Sequence, residues 1–231
     1  MLGWVQSEPT PGKLFLVGGG RTPDAVGRAF VEAAGGPKAV VVVLAQVRED
    51  PERGARASME FLTELGAGRV FSIPDRSFSR NRLAEISDQF KEVTGVWVPG
   101  GDQELFMDRW GIDWLHQNFR AMFRRGVHFY GTSAGAMILS NPMIAGPGDR
   151  TGTVRMRSGV GLTRLTIDTH YRERRREDRL LDALRQSPSS EGLGLSESGW
   201  VILHNEKIIE RQGTVDVVSE PRTELAWPYS P

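Results

Sequence analysis

The stretch Val127-His128-Phe129-Tyr130-Gly131-Thr132-Ser133-Ala134-Gly135-Ala136-Met137-Ile138-Leu139 decides the fold. Its first four residues have strand character, its middle is made of small residues, and its end is helix-permissive. A strand that runs straight into Gly131-Thr132-Ser133-Ala134-Gly135 and then into a helix has the form of a nucleophile elbow. The chain turns so sharply there that only small residues can flank the serine, whose hydroxyl is left exposed beside the N–H of the next residue, Ala134. In a chain with 27 glycines the string alone is weak. Its context, strand before and helix after, carries more.

The same alternation extends back to the amino terminus. Leu14–Val17 reads as a strand ending at Gly18-Gly19-Gly20, followed by a helix with Thr22 as N-cap and Pro23 in its first turn, stopped at Gly35-Gly36-Pro37. Ala39–Leu44 is apolar throughout, as a strand covered on both faces should be. A helix over Pro51 to about Leu65, a strand at Arg69–Phe71, a helix from Ser79 to Lys91 and a strand at Gly95–Val98 follow. Helical patterns then occupy about Asp102 to Arg125 before the Val127–Tyr130 strand. Short strands alternating with helices predict an α/β fold with a doubly wound, mostly parallel sheet, in which ligands sit at the carboxyl ends of the strands. Three glycine-rich turns, at residues 18–20, 99–101 and 131–135, fall at such ends. After Pro142 the texture becomes β-rich around one charged helix near residues 171–186, and Asn205-Glu206 should turn a late hairpin. The whole of 1–231 reads as one domain.

Composition narrows the function. Lysine plus arginine equals aspartate plus glutamate at 29 each, so there is no basic excess with which to neutralise nucleic-acid phosphates. There is no cysteine, which removes thiolate metal sites, disulfides and a cysteine nucleophile at once. That fits a cytoplasmic chain. Residues 1–12 show no signal-peptide pattern, and the apolar run 39–45 is too short for a membrane span.

A serine nucleophile needs a base. Of four histidines, His128 lies in a core strand pattern, while His116 and His204 look like surface groups. His170, in Asp168-Thr169-His170-Tyr171 at a strand end, is the best placed. Two carboxylates compete to orient it. Asp168, two residues away, would share a strand face with it, and Glu197 emerges in the polar cluster that ends Gly192-Leu193-Gly194-Leu195. Position favours Asp168 and leaves both open. The run Arg172–Arg179 would place Arg172, Arg175, Arg176 and Arg179 on one helix face. It is either a solvated ion-paired surface or a clamp for a substrate carboxylate. Gly18-Gly19-Gly20 has proline where a dinucleotide fingerprint needs its third glycine, and no metal site of familiar spacing is present.

Taken together, Gly100-Gly101-Asp102-Gln103, Gly131–Ala136, Asp168-Thr169-His170-Tyr171 with its arginine tail, and Gly192–Glu197 resemble the dipeptidase E and cyanophycinase family of serine peptidases, nearer to its cyanophycinase-like branch. The resemblance covers the chain from Gly18 to about Gly213. It implies a class I glutamine amidotransferase-like sheet and the catalytic residues Ser133, His170 and Glu197. It also implies an oxyanion hole from the N–H groups of Gly101 and Ala134, and a substrate pocket shaped by Gln103, Asp168, Arg176 and Arg179. The implied reaction is cofactor-free acyl transfer on a short peptide, preferentially at aspartyl or β-aspartyl linkages, with no metal, nucleic acid or membrane partner; a homodimer is compatible with it. Ser196, Thr169 and Tyr171 depart from the residues common in the family. An esterase or amidase with the same triad, and a catalytically silent binding protein of the same fold, are the rival readings.

Overall fold

The computed structural model describes residues 10–147, 153–187 and 191–219. In chain order these form β1 (Leu14–Val17), α1 (Asp24–Ala33), β2 (Val40–Val43), α2 (Pro51–Glu64), β3 (Arg69–Ser72), α3 (Arg80–Gln89), β4 (Gly95–Val98), α4 (Gln103–Trp110), α5 (Ile112–Arg124), β5 (His128–Thr132) and α6 (Ala134–Met137). The β-rich remainder comprises β6 (Met143–Pro147), β7 (Val154–Arg157), β8 (Thr166–Thr169), α7 (Glu177–Gln186), β9 (Glu191–Leu195), β10 (Trp200–His204), β11 (Lys207–Gln212) and β12 (Val215–Ser219).

The main sheet has the order β11-β10-β1-β5-β4-β2-β3. Its five strands from the first half of the chain are parallel, as the alternation predicted, and β10 joins β1 antiparallel. Strand alternation splits the core in two. Leu14, Leu16, Val42, Val96, Val98 and Phe129 point to one face, where α3 to α7 contribute residues such as Ile86, Phe106, Phe119, Ala136 and Leu180. Phe15, Val17, Val41, Val43, Trp97 and Tyr130 point to the other, under Phe30 and Val31 of α1 and Leu62 of α2. A sheet covered on both sides needs apolar residues at consecutive positions, which is why β1, β2 and β4 read as unbroken apolar runs. Burying a side chain such as Phe129 or Val42 contributes on the order of 1.5–3 kcal/mol.

Three local expectations need correction. Thr22 does not cap α1: Pro23 holds the cap position, and the Thr22 hydroxyl lies 2.6 Å from the Tyr130 hydroxyl instead. The helical stretch after Asp102 is two helices, because Gly111 at φ 77° breaks it between Trp110 and Ile112. His116 is not a surface group; its Nε2 lies 2.9 Å from the Gly159 carbonyl. The hairpin turn at Asn205-Glu206 is as expected, both residues taking positive φ (50° and 61°) between β10 and β11. Such a two-residue turn matches the twist of its strands.

His128 is the half-buried strand histidine its setting suggested. Its Nδ1 accepts the N–H of Lys13 at 3.0 Å, which requires the neutral ring. Burial first, and then Lys13, push its pKa from 6.5 down to about 4. Between those values the unfolded chain binds the proton that the folded chain refuses, so stability rises with pH across the window and is lost as pH falls through it. Urea unfolding should show a loss of about 1–3 kcal/mol between pH 7 and pH 4 from this group. His128→Asn should remove that part of the slope, and an unchanged slope would contradict the assignment.

A second, three-stranded sheet has the order β12-β9-β8, with β8 and β9 parallel. Thr169 at the end of β8 pairs with Leu195 at the end of β9. The residues that follow, His170 and Ser196-Glu197, therefore leave the sheet side by side. Trp200, just beyond Glu197, pairs with Val17 at the carboxyl end of β1. The two loops are thus delivered to the end of the main sheet where Ser133 sits.

Candidate active site

Ser133 follows the last residue of β5 and precedes α6, with φ 54° and ψ −120°. A positive φ at a residue other than glycine is strained by about 1–3 kcal/mol and persists only where the surroundings enforce it. Here the Ser133 N–H donates to Val17 O of β1 at 3.0 Å, and its carbonyl accepts from Ala136 and Met137 at 3.0 and 3.2 Å. The flanking glycines are sterically required. A Cβ on Gly131 would lie 2.2 Å from the Gly135 carbonyl oxygen, and one on Gly135 2.2 Å from that of Val98. This is the physical content of the G-x-S-x-G pattern in this chain.

Ser133, His170 and Glu197 lie in one hydrogen-bonded line. The Ser133 Oγ is 2.9 Å from His170 Nε2, and His170 Nδ1 is 2.7 Å from Glu197 Oε1. An ionised carboxylate only accepts, so the ring carries its proton on Nδ1 and offers the Nε2 lone pair to the serine. The His170 side chain is 12% exposed and that of Glu197 45%. His170 itself stands at φ 49°, its N–H fixed on Gly18 O at 2.9 Å.

The turn Gly18-Gly19-Gly20 has a role that the sequence reading missed. Gly18 O receives His170 N–H, and Gly19 O receives Ser198 N–H at 3.0 Å, so this turn anchors both the histidine and the glutamate loops. A Cβ on Gly19, which stands at φ 131°, would lie 2.3 Å from His170 Cε1 and 2.6 Å from Nε2; one on Gly20 would be 3.4 Å from the Glu197 carboxylate. The imidazole lies over bare backbone. Three consecutive glycines after a strand were the available signal, and they placed the turn at the ligand-binding end of the sheet without indicating that it anchors the histidine and glutamate loops.

Gly101 and Ala134 were the residues expected to supply the oxyanion donors. Gly100 packs beside Ser133, a Cβ there falling 3.2 Å from the Ser133 Cβ and 3.7 Å from its Oγ. Gly101 follows it, and Ala134 opens α6. Among the described residues, neither the Gly101 nor the Ala134 N–H donates to another backbone group. Gln103 is less free than expected: its amide nitrogen donates to the carbonyls of Ile144 (3.2 Å) and Ala145 (2.7 Å), leaving its side-chain oxygen as the available polar atom.

The first part of the arginine run is the exposed, ion-paired surface of one sequence reading. The run is not one helix, however: α7 starts only at Glu177, Arg176 holds its cap position, and Arg175 turns at φ 49°. Arg172 pairs with Glu177 at 2.8 Å and with Asp216. Arg176 and Arg179 converge on Asp168, at 3.1 and 3.3 Å. Asp168 is fully buried and accepts the Thr169 N–H at 2.8 Å on the same oxygen that meets Arg176. Burial pushes its carboxyl above the usual range against the pull of Arg179 and Arg176. Asp168 therefore neither orients His170 nor shares its face, since the positive φ at His170 ends the strand alternation on which that expectation stood. With two guanidinium groups on one carboxylate, this corner carries a net positive charge behind the histidine.

The model of peptidase family S51 matches residues 14–211. A cyanophycinase of Nostoc sp. (strain PCC 7120) is 26% identical over 210 residues, covering 88% of this chain and 70% of its own. That of Geminocystis herdmanii is 27% identical over 199 residues, covering 82% and 72%. Among solved structures, a peptidase from an acI-B1 Actinobacterium superposes with a TM-score of 0.67 at 20% identity, covering 92% of this chain and 89% of that one. A candidate peptidase E protein of Listeria monocytogenes EGD-e gives 0.65 at 16% identity, covering 88% and 100%. These two likenesses are of fold, the class I glutamine amidotransferase-like arrangement that the sequence implied.

Proposed function

The chain belongs to peptidase family S51 and is a serine-type peptidase, and from that premise we propose that it hydrolyses short peptides through Ser133, His170 and Glu197, as an exopeptidase or dipeptidase preferring aspartyl or β-aspartyl linkages. The observation that carries the reading is the line from Ser133 Oγ through His170 to Glu197, at 2.9 and 2.7 Å, on a strained turn at the end of a parallel strand.

The geometry supports the following reaction. His170 Nε2 takes the Ser133 proton as Oγ attacks the scissile carbonyl, and the resulting imidazolium is stabilised by the Glu197 carboxylate at Nδ1. The N–H groups of Gly101 and Ala134 receive the oxyanion. His170 then gives its proton to the leaving amine, and water activated by the same imidazole releases the acid from the acyl-enzyme. Each step uses groups of this chain and needs no cofactor. The cysteine-free composition suits a reducing compartment, and we assign the enzyme to the cytoplasm.

Substrate preference rests on two supports. The curated relatives are cyanophycinases, and the Asp168–Arg176–Arg179 corner carries one positive charge in excess behind His170. That charge favours an acidic group on the substrate without offering it a free guanidinium pair, so the selection should be moderate. Measured on a panel of dipeptides that includes β-Asp-Arg, other β-Asp-X, α-Asp-X and neutral members, kcat/KM should be about tenfold or more higher for the aspartyl members, near 1.4 kcal/mol. Equal rates across the panel would leave a serine peptidase without this preference.

A further inference from the structure

A cavity of about 470 Å³ lies at the other end of the sheet, bordered by Arg120, Phe123, Arg124, Leu162, Arg164 and Glu206 among others. A smaller hollow of about 190 Å³ adjoins it, sharing Phe123, Leu162 and Glu206 and reaching Leu14 and Leu203. Leu14 opens β1, whereas the catalytic turn follows Val17. The cavity is thus separated from Gly18 and His170 by the length of the strand, roughly 10 Å. The cavity and the catalytic turn lie at opposite ends of β1 and share no lining residue.

The charge in this cavity is unbalanced. Arg120 is half-buried, while Arg124 and Arg164 are exposed. Arg120 Nε donates to Val160 O at 2.9 Å and Arg124 Nε to Arg120 O at 3.2 Å, and none of the three guanidinium groups meets a carboxylate within ion-pair distance among the described residues. Among the described residues, the only carboxylate lining the cavity is Glu206, which is already engaged: it accepts the Thr163 hydroxyl at 2.7 Å and the Arg164 N–H at 3.2 Å. By contrast, Arg157 is matched by Glu104 and Asp108, and Arg172 by Glu177 and Asp216. Gly161 adds a steric clue. At φ 71°, it leaves a gap into which Arg120 leans, since a Cβ there would lie 2.6 Å from Arg120 Nη2. Three cations against one acid leave two charges uncompensated, beside an apolar wall of Phe123 and Leu162.

We propose that this cavity binds a small organic dianion, a phosphate monoester or a dicarboxylate, whose anionic end meets Arg120, Arg124 and Arg164 and whose organic body packs on Phe123 and Leu162. A guanidinium fork matches both anion types bidentately, and the volume lies within the range of small-molecule sites.

Isothermal titration calorimetry with adenosine 5′-monophosphate, succinate and inorganic phosphate tests this. One-to-one saturation by either organic dianion is the expected result; the two arms distinguish phosphate ester from dicarboxylate. Raising ionic strength from about 0.05 to about 0.3 M should weaken it, because two of the arginines are exposed. The Arg124→Gln/Arg164→Gln pair should weaken binding by about tenfold or more. These exposed positions should leave the melting temperature unchanged, and the single charge reversal Arg164→Glu serves if the pair does not fold. No saturation by either organic dianion up to about 10 mM, saturation by inorganic phosphate alone, or affinity indifferent to both variants would overturn the proposal.

Discussion

Ser133→Ala should abolish peptide hydrolysis, lowering kcat by on the order of 10⁴-fold or more, and should eliminate labelling by a fluorophosphonate probe. The change removes one oxygen, whose partner is the His170 Nε2 at 2.9 Å. The backbone at residue 133 stands at φ 54° because Val17, Ala136 and Met137 hold it there. Alanine meets the same restraint, so the fold should survive and the melting temperature should stay within a few degrees. Residual catalysis from the N–H donors would remain in the variant, which is why the expected loss has a floor. Wild-type labelling confined to residue 133, and its loss in the variant, would separate the peptidase from a binding protein of the same fold. A variant that still turned over peptide at a tenth of the parental rate would sink the assignment of the nucleophile.

The fold was legible because its signals are redundant. The run at 39–45, the strand at 95–98 and the stretch 127–139 each carry an apolar strand into a turn or helix, and a parallel sheet covered on both faces requires unbroken apolar runs. The strained turn at Ser133 was legible for a related reason, since Gly131 and Gly135 are compelled by backbone atoms 2.2 Å from where their Cβ would stand. Constraints of that kind leave marks at fixed spacing. The groups aligned with Ser133 (His170 and Glu197) follow the ends of two strands in a different sheet, β8 and β9, and no local spacing encodes that Thr169 pairs with Leu195.

For the same reason, local reasoning favoured Asp168, which meets Arg176 and Arg179 and not His170. Period-two alternation put Asp168 on the His170 face, but alternation ends where a residue leaves the strand at φ 49°. Only the resemblance to a known family pointed to Glu197, and Glu197 is the carboxylate that lies 2.7 Å from His170. The arginine run was misread by a related shortcut. Its charges were weighed along one helix, whereas Arg176 and Arg179 find their partner on β8. A partner brought by tertiary structure leaves no trace at i, i+3 or i+4.

That partnership gives the largest expected effect on stability. Asp168→Asn keeps the side-chain shape and removes the charge that two guanidinium groups share. The Arg176 and Arg179 side chains are 13% and 23% exposed, and Asp168 is fully buried, so water replaces only part of what is lost. Forming a buried pair is close to neutral, because desolvation offsets attraction, but removing one member leaves the other charge uncompensated at about 3–5 kcal/mol. Here two cations are left, partly hydrated, which places the cost toward the lower end, about 3 kcal/mol. For a chain of this length that corresponds to a melting temperature lower by roughly 6–12 °C. The variant Arg176→Gln in the Asp168→Asn background should recover part of the loss, since it removes a charge left unpaired. The double-mutant cycle should show a coupling of about 1 kcal/mol or more. A single variant within about 0.5 kcal/mol of the parent, with no coupling, would show that Asp168 is as replaceable as a surface acid and that the positive corner behind His170 owes nothing to it.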